Sequence, residues 1–261
     1  MANQKNKAAV VTGGSGGIGY ELALICAQNG YDLVLAARSE DKLEAIKKDL
    51  EERFSIKVHV FVSDLSEMGQ PAELHKYCRV HHIPVELLIN NAGYGDYQPV
   101  ANADPATLSN MLHLNIIALT ELTALFVKDM LRQKSGHILN IASTAAYQPV
   151  PRLAAYSASK AYVVSFTEAL HAELKGTKVT ATVLSPGVTE TGFVDRAGMN
   201  ASKFAQGAQA NAADVAKAGY AAMQKGKLYV IPGFLNKLLA FSTRITPSRR
   251  LILAVSAMIS K

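Results

Sequence analysis

The sequence predicts a doubly wound α/β fold, in which a seven-stranded, mostly parallel sheet carries helices on both faces. Short apolar runs alternate with longer amphipathic segments along most of the chain, and such alternation produces parallel strands joined by right-handed crossovers. Glycine or polar residues directly follow most of the apolar runs, as expected where ligands bind beyond the carboxyl ends of strands. The length of 261 residues and the hydrophobic content of 49% suffice for one large core, so we predict a single domain over residues 1–261.

Seven apolar runs have the length and composition of buried strands. In chain order they are KAAVVTG (7–13), YDLVLAA (31–37), KVHVFVSD (57–64), VELLINNAG (85–93), GHILNIAS (136–143), KVTATVLSPG (178–187) and KLYVI (227–231). The segments 18–30 and 39–54 between the first three strands have one apolar side, which predicts amphipathic helices. The longest irregular stretch, about 188–212, is predicted to be a mobile loop or a small helical lid.

Composition argues against several other classes of protein. Cys26 and Cys78 lie far apart, and no Cys/His cluster has the spacing of a zinc site, so we expect reduced structural thiols, no metal and a cytoplasmic protein. No signal peptide and no run of 18 apolar residues is found, so no membrane-spanning helix is expected.

The net charge of +6 is unevenly placed. Seven of the 27 basic residues lie from Lys225 onward and no acidic residue follows Asp214, which leaves 20 basic and 21 acidic residues in the first 224. A broad positive face for nucleic acid is therefore not expected.

The segment TGGSGGIG, Thr12 to Gly19, follows the first strand and opens the first helix. Glycines allow a tight turn and a close approach of the backbone to a pyrophosphate, while the helix N-terminus offers unpaired N–H groups. A simple strand-to-helix turn is the alternative, but the strand before and the helix after favour dinucleotide binding.

The second strand ends without the acidic residue that would bind the ribose hydroxyls of NAD. Arg38 follows Ala36 and Ala37 instead, with Ser39 beside it. A guanidinium pairs bidentately with a phosphate, so this end predicts NADP(H) in preference to NAD(H). The alternative is a solvated arginine at the start of a helix.

Tyr156 and Lys160 lie four residues apart in YSASK and would share one face of a helix. A free tyrosine titrates near pH ~10, and a cation close by stabilises the phenolate and lowers its pKa. Such a tyrosine is a competent proton donor or acceptor near neutral pH. The alternative is an ordinary exposed helix face.

The combination of Gly13, Gly17 and Gly19 with NNAG at 90–93 and YSASK at 156–160 resembles the short-chain dehydrogenase/reductase family, in its single-domain, Rossmann-like form. The resemblance covers nearly the whole chain, from Lys7 to about Tyr229. It implies hydride transfer between a nicotinamide and a small-molecule carbonyl or alcohol substrate, usually in a homodimer or homotetramer.

The resemblance also implies roles for particular residues. Tyr156 would transfer the proton, and Lys160 would also hold the nicotinamide ribose. Ser143, with Thr144 as a possible substitute, would polarise the substrate carbonyl, and Asn115 would order a water in a proton relay.

Cofactor contacts are expected from Gly13, Ser15, Gly17, Ile18, Gly19, Arg38, Ser39, Asp64, Leu65, Asn91, Ala92, Gly93, Tyr156, Lys160, Pro186, Gly187, Val188 and Thr191. Asn90 is also expected against the cofactor, Thr189 is a rival to Thr191, and Asp64 is alternatively an N-cap.

Substrate contacts are predicted from loops after the fourth and fifth strands and from the 188–212 lid. With Ser143, the chosen residues are Tyr94, Tyr147 and Phe193, and Tyr97, Val150 and Met199 are further candidates. This apolar lining predicts an uncharged or long-chain carbonyl compound, such as a 3-oxoacyl thioester or a steroid.

The tail 234–261 carries an apolar helix face broken at Pro247 and has basic residues but no acidic ones. Two interpretations remain open. The tail covers the lid or a subunit interface, or it is a basic amphipathic anchor on an anionic membrane surface.

Two other functions also remain open at this level. One is a cofactor-binding regulatory or scaffold protein without turnover, which the intact Ser143, Tyr156 and Lys160 disfavour. The other is a sugar-nucleotide epimerase or dehydratase, for whose separate substrate domain this chain leaves little room.

Overall fold

The computed structural model describes residues 7–199, 202 and 209–259, and it confirms the predicted seven-stranded doubly wound sheet. The strand order is β3-β2-β1-β4-β5-β6-β7, and every neighbouring pair is parallel. The strands are β1 (Ala8–Thr12), β2 (Asp32–Ala37), β3 (Val58–Val62), β4 (Val85–Asn90), β5 (Gly136–Ile141), β6 (Val179–Leu184) and β7 (Tyr229–Val230).

Ten α-helices connect and follow these strands in the described part of the chain. They are α1 (Gly17–Gln28), α2 (Glu40–Arg53), α3 (Gln70–Val80), α4 (Pro105–Leu112), α5 (Leu119–Gln133), α6 (Ala154–Glu173), α7 (Phe193–Arg196), α8 (Ala212–Gln224), α9 (Phe234–Ile245) and α10 (Arg249–Ile259). A π-helical segment, His113–Ala118, joins α4 to α5, and short 3₁₀ turns occupy Val100–Asn102 and Thr144–Tyr147.

The helices cover both faces of the sheet, as predicted. On one face, α1, α2 and α8 bury side chains such as Leu22, Leu43 and Met223 against the strands. On the other, α3, α5 and α6 bury Leu74, Phe126 and Leu170, among others. Each cysteine is buried in one of these two clusters and forms no disulfide, in agreement with structural thiols.

The strand order reverses between β1 and β4, because β1 pairs with β2 on one side and with β4 on the other. Hydrogen bonds join the two strand ends at this switch point. The amide of Asn91 donates to the carbonyls of Thr12 and Gly13 at 3.0 and 3.1 Å. In return, the Thr12 hydroxyl accepts from the backbone N–H groups of Asn91 and Ala92 at 3.0 Å each. This exchange of bonds holds open the crevice where an open parallel sheet binds its ligand.

A buried polar network ties β4 and β5 to the helices behind them. The Asn90 amide donates to Thr123 of α5 and to Asn140 of β5, both at 2.9 Å. Asn140 in turn donates to Thr167 of α6 at 3.0 Å. Buried amides are costly unless they are hydrogen-bonded, so this network fixes one register for these elements.

The continuous helical stretch Pro105–Gln133 is long and apolar enough to cross a membrane by length and composition alone. This is weak support for a span, because core helices of soluble proteins pass the same test and the α5 part of this stretch packs on β4 and β5. The sequence-based expectation of no spanning helix therefore stays a prediction.

The predicted lid at 188–212 is described only in part. Its first half contains α7, and its end enters α8 through the N-cap Asn211, whose side chain accepts from two backbone N–H groups. Residues 200, 201 and 203–208 lie outside the described residues.

We predict that Asn140→Ala lowers the free energy of unfolding by about 1–3 kcal/mol, because the amide of Asn90 and the hydroxyl of Thr167 each lose a hydrogen-bond partner. Urea unfolding followed by circular dichroism measures this change. Asn29→Ala is the control, since Asn29 is exposed and its amide bonds only within its own helix end. Equal destabilisation by both substitutions would contradict a special role for the network.

Candidate active site

A cavity of about 550 Å³ opens at the carboxyl edge of the sheet, around the β1/β4 switch point. Most of the predicted site residues line it, and they arrive from strand ends that are distant in sequence. These are Gly13, Ser15, Gly17, Ile18, Arg38, Ser39, Asp64, Leu65, Asn91, Ala92, Gly93, Ser143, Tyr156, Lys160, Pro186, Gly187, Val188, Thr191 and Phe193.

The glycine loop has the backbone that a bound pyrophosphate needs. Gly13 and Gly17 have φ values of +66° and +54°, which disfavour any residue with a side chain. A Cβ at Gly19 would lie 2.3 Å from the Gly13 carbonyl oxygen and 2.4 Å from Nδ2 of Asn91. The helix α1 begins here, and Gly17 and Ile18 at its start line the cavity, so its positive end and unpaired N–H groups are available to a ligand there. The loop therefore fits the phosphates of a dinucleotide.

Basic side chains gather at the end of the cavity beside β2. Arg38 forms a 3.3 Å ion pair with Asp64, and more than half of its side chain is exposed. Lys42, from the first turn of α2, and Arg196, from α7, line the same cavity. Burial lowers the pKa of Arg196 and the charge of Arg38 adds to the effect, which indicates that the two guanidinium groups lie near one another.

Asp64 remains a carboxylate in this setting. Burial raises its pKa, but hydrogen bonds from Ser66 and Arg38 outweigh burial and hold the pKa below the ordinary value. The Asp64 carboxylate thus has two partners. It accepts from the Ser66 N–H at 3.0 Å in a local turn, and it forms the ion pair with Arg38. The net charge of this end is positive, which suits a group that carries an additional phosphate.

Ser143, Tyr156 and Lys160 meet at the other end of the cavity. Ser143 follows β5, and its hydroxyl lies close enough to the phenol of Tyr156 on α6 to lower the pKa of that phenol. Nζ of Lys160, one turn further along α6, donates to the carbonyl of Ile141 at 2.8 Å and lies 5.8 Å from the Tyr156 ring centroid. Both the phenol and the ammonium are buried, and both side chains line the cavity.

The electrostatics of this group differ from the sequence-based expectation. Burial raises the pKa of Tyr156 to about 12, and the nearby Ser143 hydroxyl offsets only part of that rise. Burial lowers the pKa of Lys160 to about 8. The net shift is therefore upward, and not the lowering that the sequence suggested, because desolvation dominates and the Lys160 ammonium donates to a backbone carbonyl. At neutral pH the tyrosine is a protonated phenol and the lysine is still largely charged.

Asn115 lies behind the cavity wall in the π-helical segment, a type of irregularity that often marks functional sites. Its amide donates to the Tyr94 carbonyl at 3.0 Å and to the Ser159 hydroxyl at 3.1 Å. A Cβ at Gly93 would lie 2.9 Å from Oδ1 of Asn115 and 3.3 Å from Nζ of Lys160. Glycine at position 93 thus leaves room for the asparagine and the lysine to approach the same point.

Several predicted residues lie elsewhere among the described residues. Asn90 belongs to the buried network between β4 and β5 and does not line the cavity.

Two tyrosines predicted to contact the substrate also lie outside the cavity lining. The hydroxyl of Tyr94 donates to the Thr107 carbonyl at 3.2 Å, and the Arg196 guanidinium lies over the Tyr94 ring at 4.4 Å from its centroid. Tyr147 bonds to Ser185 at 3.1 Å. Neither tyrosine is among the residues that line the cavity, and Gly19 and Asn115 support it from behind.

The cavity wall around Tyr156 is apolar. Phe193 of α7 lies 5.3 Å from the Tyr156 ring, centroid to centroid. The remaining apolar wall residues of this end are Val150, Leu153, Val194 and Met199. An apolar substrate portion can therefore lie against this wall while its oxygen faces Ser143 and Tyr156.

Sequence reasoning missed Lys42, Leu153, Val194 and Arg196. Lys42 could have been predicted from the sequence, since it occupies the first turn of the helix that begins after Ser39. No local sequence pattern predicts Arg196 in the site, because only the fold of the lid brings it near Arg38 and Tyr94.

Comparisons with known proteins agree with this geometry. The sequence model for short chain dehydrogenases matches residues 7–202, well over half of the chain. A very-long-chain 3-oxoacyl-CoA reductase of Anas platyrhynchos is 34% identical over 173 residues, which cover 64% of this chain and 54% of that protein. The chain therefore spans only about half the length of that relative.

Solved structures share the fold over nearly the whole chain. A short-chain dehydrogenase from Sphingobium yanoikuyae, in complex with NADPH, has a TM-score of 0.83 and 25% identity, with 95% of each chain covered. A short-chain dehydrogenase/reductase from Burkholderia phymatum, in complex with NAD, has a TM-score of 0.82 at 24% identity, with 95% of this chain and 98% of that one covered. Similar folds thus hold either nicotinamide cofactor.

We predict that Gly19→Ala lowers the free energy of unfolding by about 1–3 kcal/mol, because its methyl group would collide with the Gly13 carbonyl and the Asn91 amide. Urea unfolding measures the change. Gly16→Ala is the matched control in the same loop, since a Cβ at Gly16 has nothing within 4 Å and its φ is extended. An unchanged stability of Gly19→Ala would contradict the close approach of α1 to the loop.

Proposed function

The chain belongs to the short-chain dehydrogenase family and is an oxidoreductase acting on CH–OH and C=O groups, and from this premise we propose that it interconverts an apolar ketone and its alcohol with NADP(H) in preference to NAD(H). One observation carries the proposal. Ser143 and Tyr156, with Lys160 one turn further on, face a cavity whose other end has the glycine loop of a dinucleotide site.

We assign the steps of carbonyl reduction to these side chains. The nicotinamide of a bound NADPH, which the glycine loop and Lys160 would hold, would supply the hydride to the carbonyl carbon. Ser143 donates a hydrogen bond to the carbonyl oxygen and stabilises the negative charge that develops there. Tyr156 then gives its proton to that oxygen, a role for which its raised pKa keeps it protonated at neutral pH. Lys160, charged and buried beside it, stabilises the phenolate that is left behind.

The preference for NADP(H) is supported by the charges beside β2. Arg38 stands where NAD-specific proteins of this architecture carry an acidic residue, and Lys42 and Arg196 add two cations to the same end of the cavity. A guanidinium binds a phosphate through two parallel hydrogen bonds. Asp64, the ion-pair partner of Arg38, keeps the guanidinium at the cavity rim.

The apolar wall of Phe193, Val150 and Met199 supports an apolar substrate. A 3-oxoacyl thioester is one such compound, in line with the name of the Anas platyrhynchos relative. The intact proton-transfer group and the family disfavour a non-catalytic scaffold, and nothing in the described residues favours an epimerase. Assembly as a homodimer or homotetramer and a cytoplasmic location stay predictions from the family resemblance.

We expect Tyr156→Phe to reduce turnover at least about a hundredfold while leaving NADPH affinity nearly unchanged, because it removes the proton donor and little else. NADPH oxidation is followed across a panel of ketones, aldehydes, quinones, steroids and acyl thioesters, and NADPH binding is measured by titration. Tyr162→Phe on the same helix is the control, since that hydroxyl faces outward and bonds to Thr120. Loss of NADPH binding in Tyr156→Phe would mean that the tyrosine is structural.

Arg38→Asp should shift the ratio of kcat/KM for NADPH over NADH by about tenfold or more toward NADH, because it replaces a phosphate-binding cation by a carboxylate that suits ribose hydroxyls. Steady-state rates with each cofactor give the ratio. Arg79→Ala, an exposed arginine on α3, is the control and should leave it unchanged. A constant ratio in Arg38→Asp would remove Arg38 from the cofactor site.

A further inference from the structure

We propose that α9 and α10 dock the protein on an anionic membrane surface and hold the mouth of the active site against it. The proposal rests on three observations: the orientation of the apolar faces of these helices, the charge of the C-terminal segment, and the position of α9 beside the cavity.

The helix α9 is amphipathic in the opposite sense to an ordinary surface helix. The side that faces the protein carries small or polar residues, namely Asn236, Ala240 and Thr243. The side that faces outward carries large apolar side chains at helical spacing, and these are Phe234, Leu238, Phe241 and Ile245. Phe234 is 79% exposed and Phe241 is 59% exposed. A helix that covered its own domain would bury this side.

The helix α10 repeats the arrangement after Pro247. Ser256 is fully buried, whereas Leu251, Val255 and Met258, at spacings of four and three residues, are exposed. Two successive helices therefore present apolar surface away from the core. Exposed apolar patches of this kind mark sites that bind a protein or a membrane.

The charge of the segment selects between these occupants. Beyond Asp214 the chain has no acidic residue, and Lys237, Arg249 and Arg250 have no acidic partner within 4.0 Å in the part of the chain that is described. Arg244 alone is engaged, with Glu168 at 3.5 Å, and it stacks on Tyr229 at 5.0 Å. Anionic lipid headgroups complement such a segment, and basic amphipathic helices bind them with their apolar face in the interface. A second copy that docked through the same segment would instead bring cations against cations.

The position of α9 relates the docking surface to the active site. A Cβ at Gly187, which lines the cavity, would lie 2.6 Å from Nδ2 of Asn236 in the first turn of α9. The same helix packs on the Thr144–Tyr147 turn that follows Ser143. The first turn of α9, which carries the exposed Phe234 and Leu235, therefore lies next to Gly187 in the cavity wall.

The substrate class follows from this placement, and this step rests on the proposed function. A mouth held at the membrane surface, in front of the apolar wall of Phe193 and Val150, receives a carbonyl compound that dissolves in the bilayer. A water-soluble ketone would gain nothing from docking.

Vesicle sedimentation tests the docking directly and needs no turnover. The full chain should bind vesicles of phosphatidylcholine mixed with phosphatidylglycerol, bind phosphatidylcholine alone more weakly, and lose affinity as salt is added. Leu238→Glu combined with Phe241→Glu should weaken binding about tenfold or more. Met68→Glu combined with Val80→Glu adds the same charges at exposed apolar positions elsewhere and should weaken it far less.

The basic residues are tested in the same assay. Arg249→Glu combined with Arg250→Glu should weaken binding to the anionic vesicles about tenfold or more, whereas Lys48→Glu combined with Arg79→Glu should not. Circular dichroism checks that each variant is folded. Absence of binding by the wild type, or equal weakening by the control pairs, would overturn the proposal. So would an oligomer that dissociates when Leu238 and Phe241 become Glu, because a second copy would then cover this face.

Turnover tests the substrate step separately. NADPH oxidation is compared with a short methyl ketone in buffer and with a long-chain methyl ketone carried in the anionic vesicles. The Leu238→Glu, Phe241→Glu variant should keep the rate on the short ketone and lose most of the rate on the vesicle-borne one. Equal rates in variant and wild type on the vesicle-borne ketone would overturn delivery from the membrane. If the wild type binds vesicles but oxidises no NADPH with either ketone, the result would count against the proposed function and not against docking.

Discussion

The hydrogen bonds between Thr12 and Asn91 are the interaction on which the rest of the site depends. They join the ends of β1 and β4, the two strands at which the order of the sheet reverses. With these ends held together, the glycine loop leaves β1 at a fixed angle and Gly19 packs directly on the Gly13 carbonyl. The N–H groups at the start of α1 then adjoin the crevice, where they can bind an anionic partner.

A second constraint lies one layer deeper, in the amides that the fold buries. Asn90 and Asn140 connect β4 and β5 to α5 and α6, so the helix that carries Tyr156 and Lys160 is fixed relative to the strand that ends at Ser143. Burial has an electrostatic consequence as well. It raises the pKa of Tyr156 to about 12 and lowers that of Lys160 to about 8, so a neutral phenol and an ammonium persist side by side at neutral pH.

The two ends of the cavity bind their ligands through different interactions. The nucleotide end uses backbone geometry and clustered cations, among them Arg38 and Arg196. The catalytic end has an apolar wall, and the first turn of α9, with the exposed Phe234 and Leu235, lies next to Gly187 in that cavity. Polarity thus changes along a single cavity from the phosphate loop to the wall around Tyr156.

Local sequence patterns predict the alternation of strands and helices, the glycine loop and the spacing of Tyr156 and Lys160, because these depend on periodicity and on residues close in the chain. It did not distinguish the two neighbours Asn90 and Asn91, of which only the second lines the cavity. That choice follows from the side of β4 to which each side chain points. The packing of distant segments was needed to place Arg196 in the same cavity as Arg38, to bury Tyr156 so that its pKa rises, and to turn the apolar side of α9 outward. Each of these depends on distances and burial between segments far apart in sequence, which no local pattern encodes.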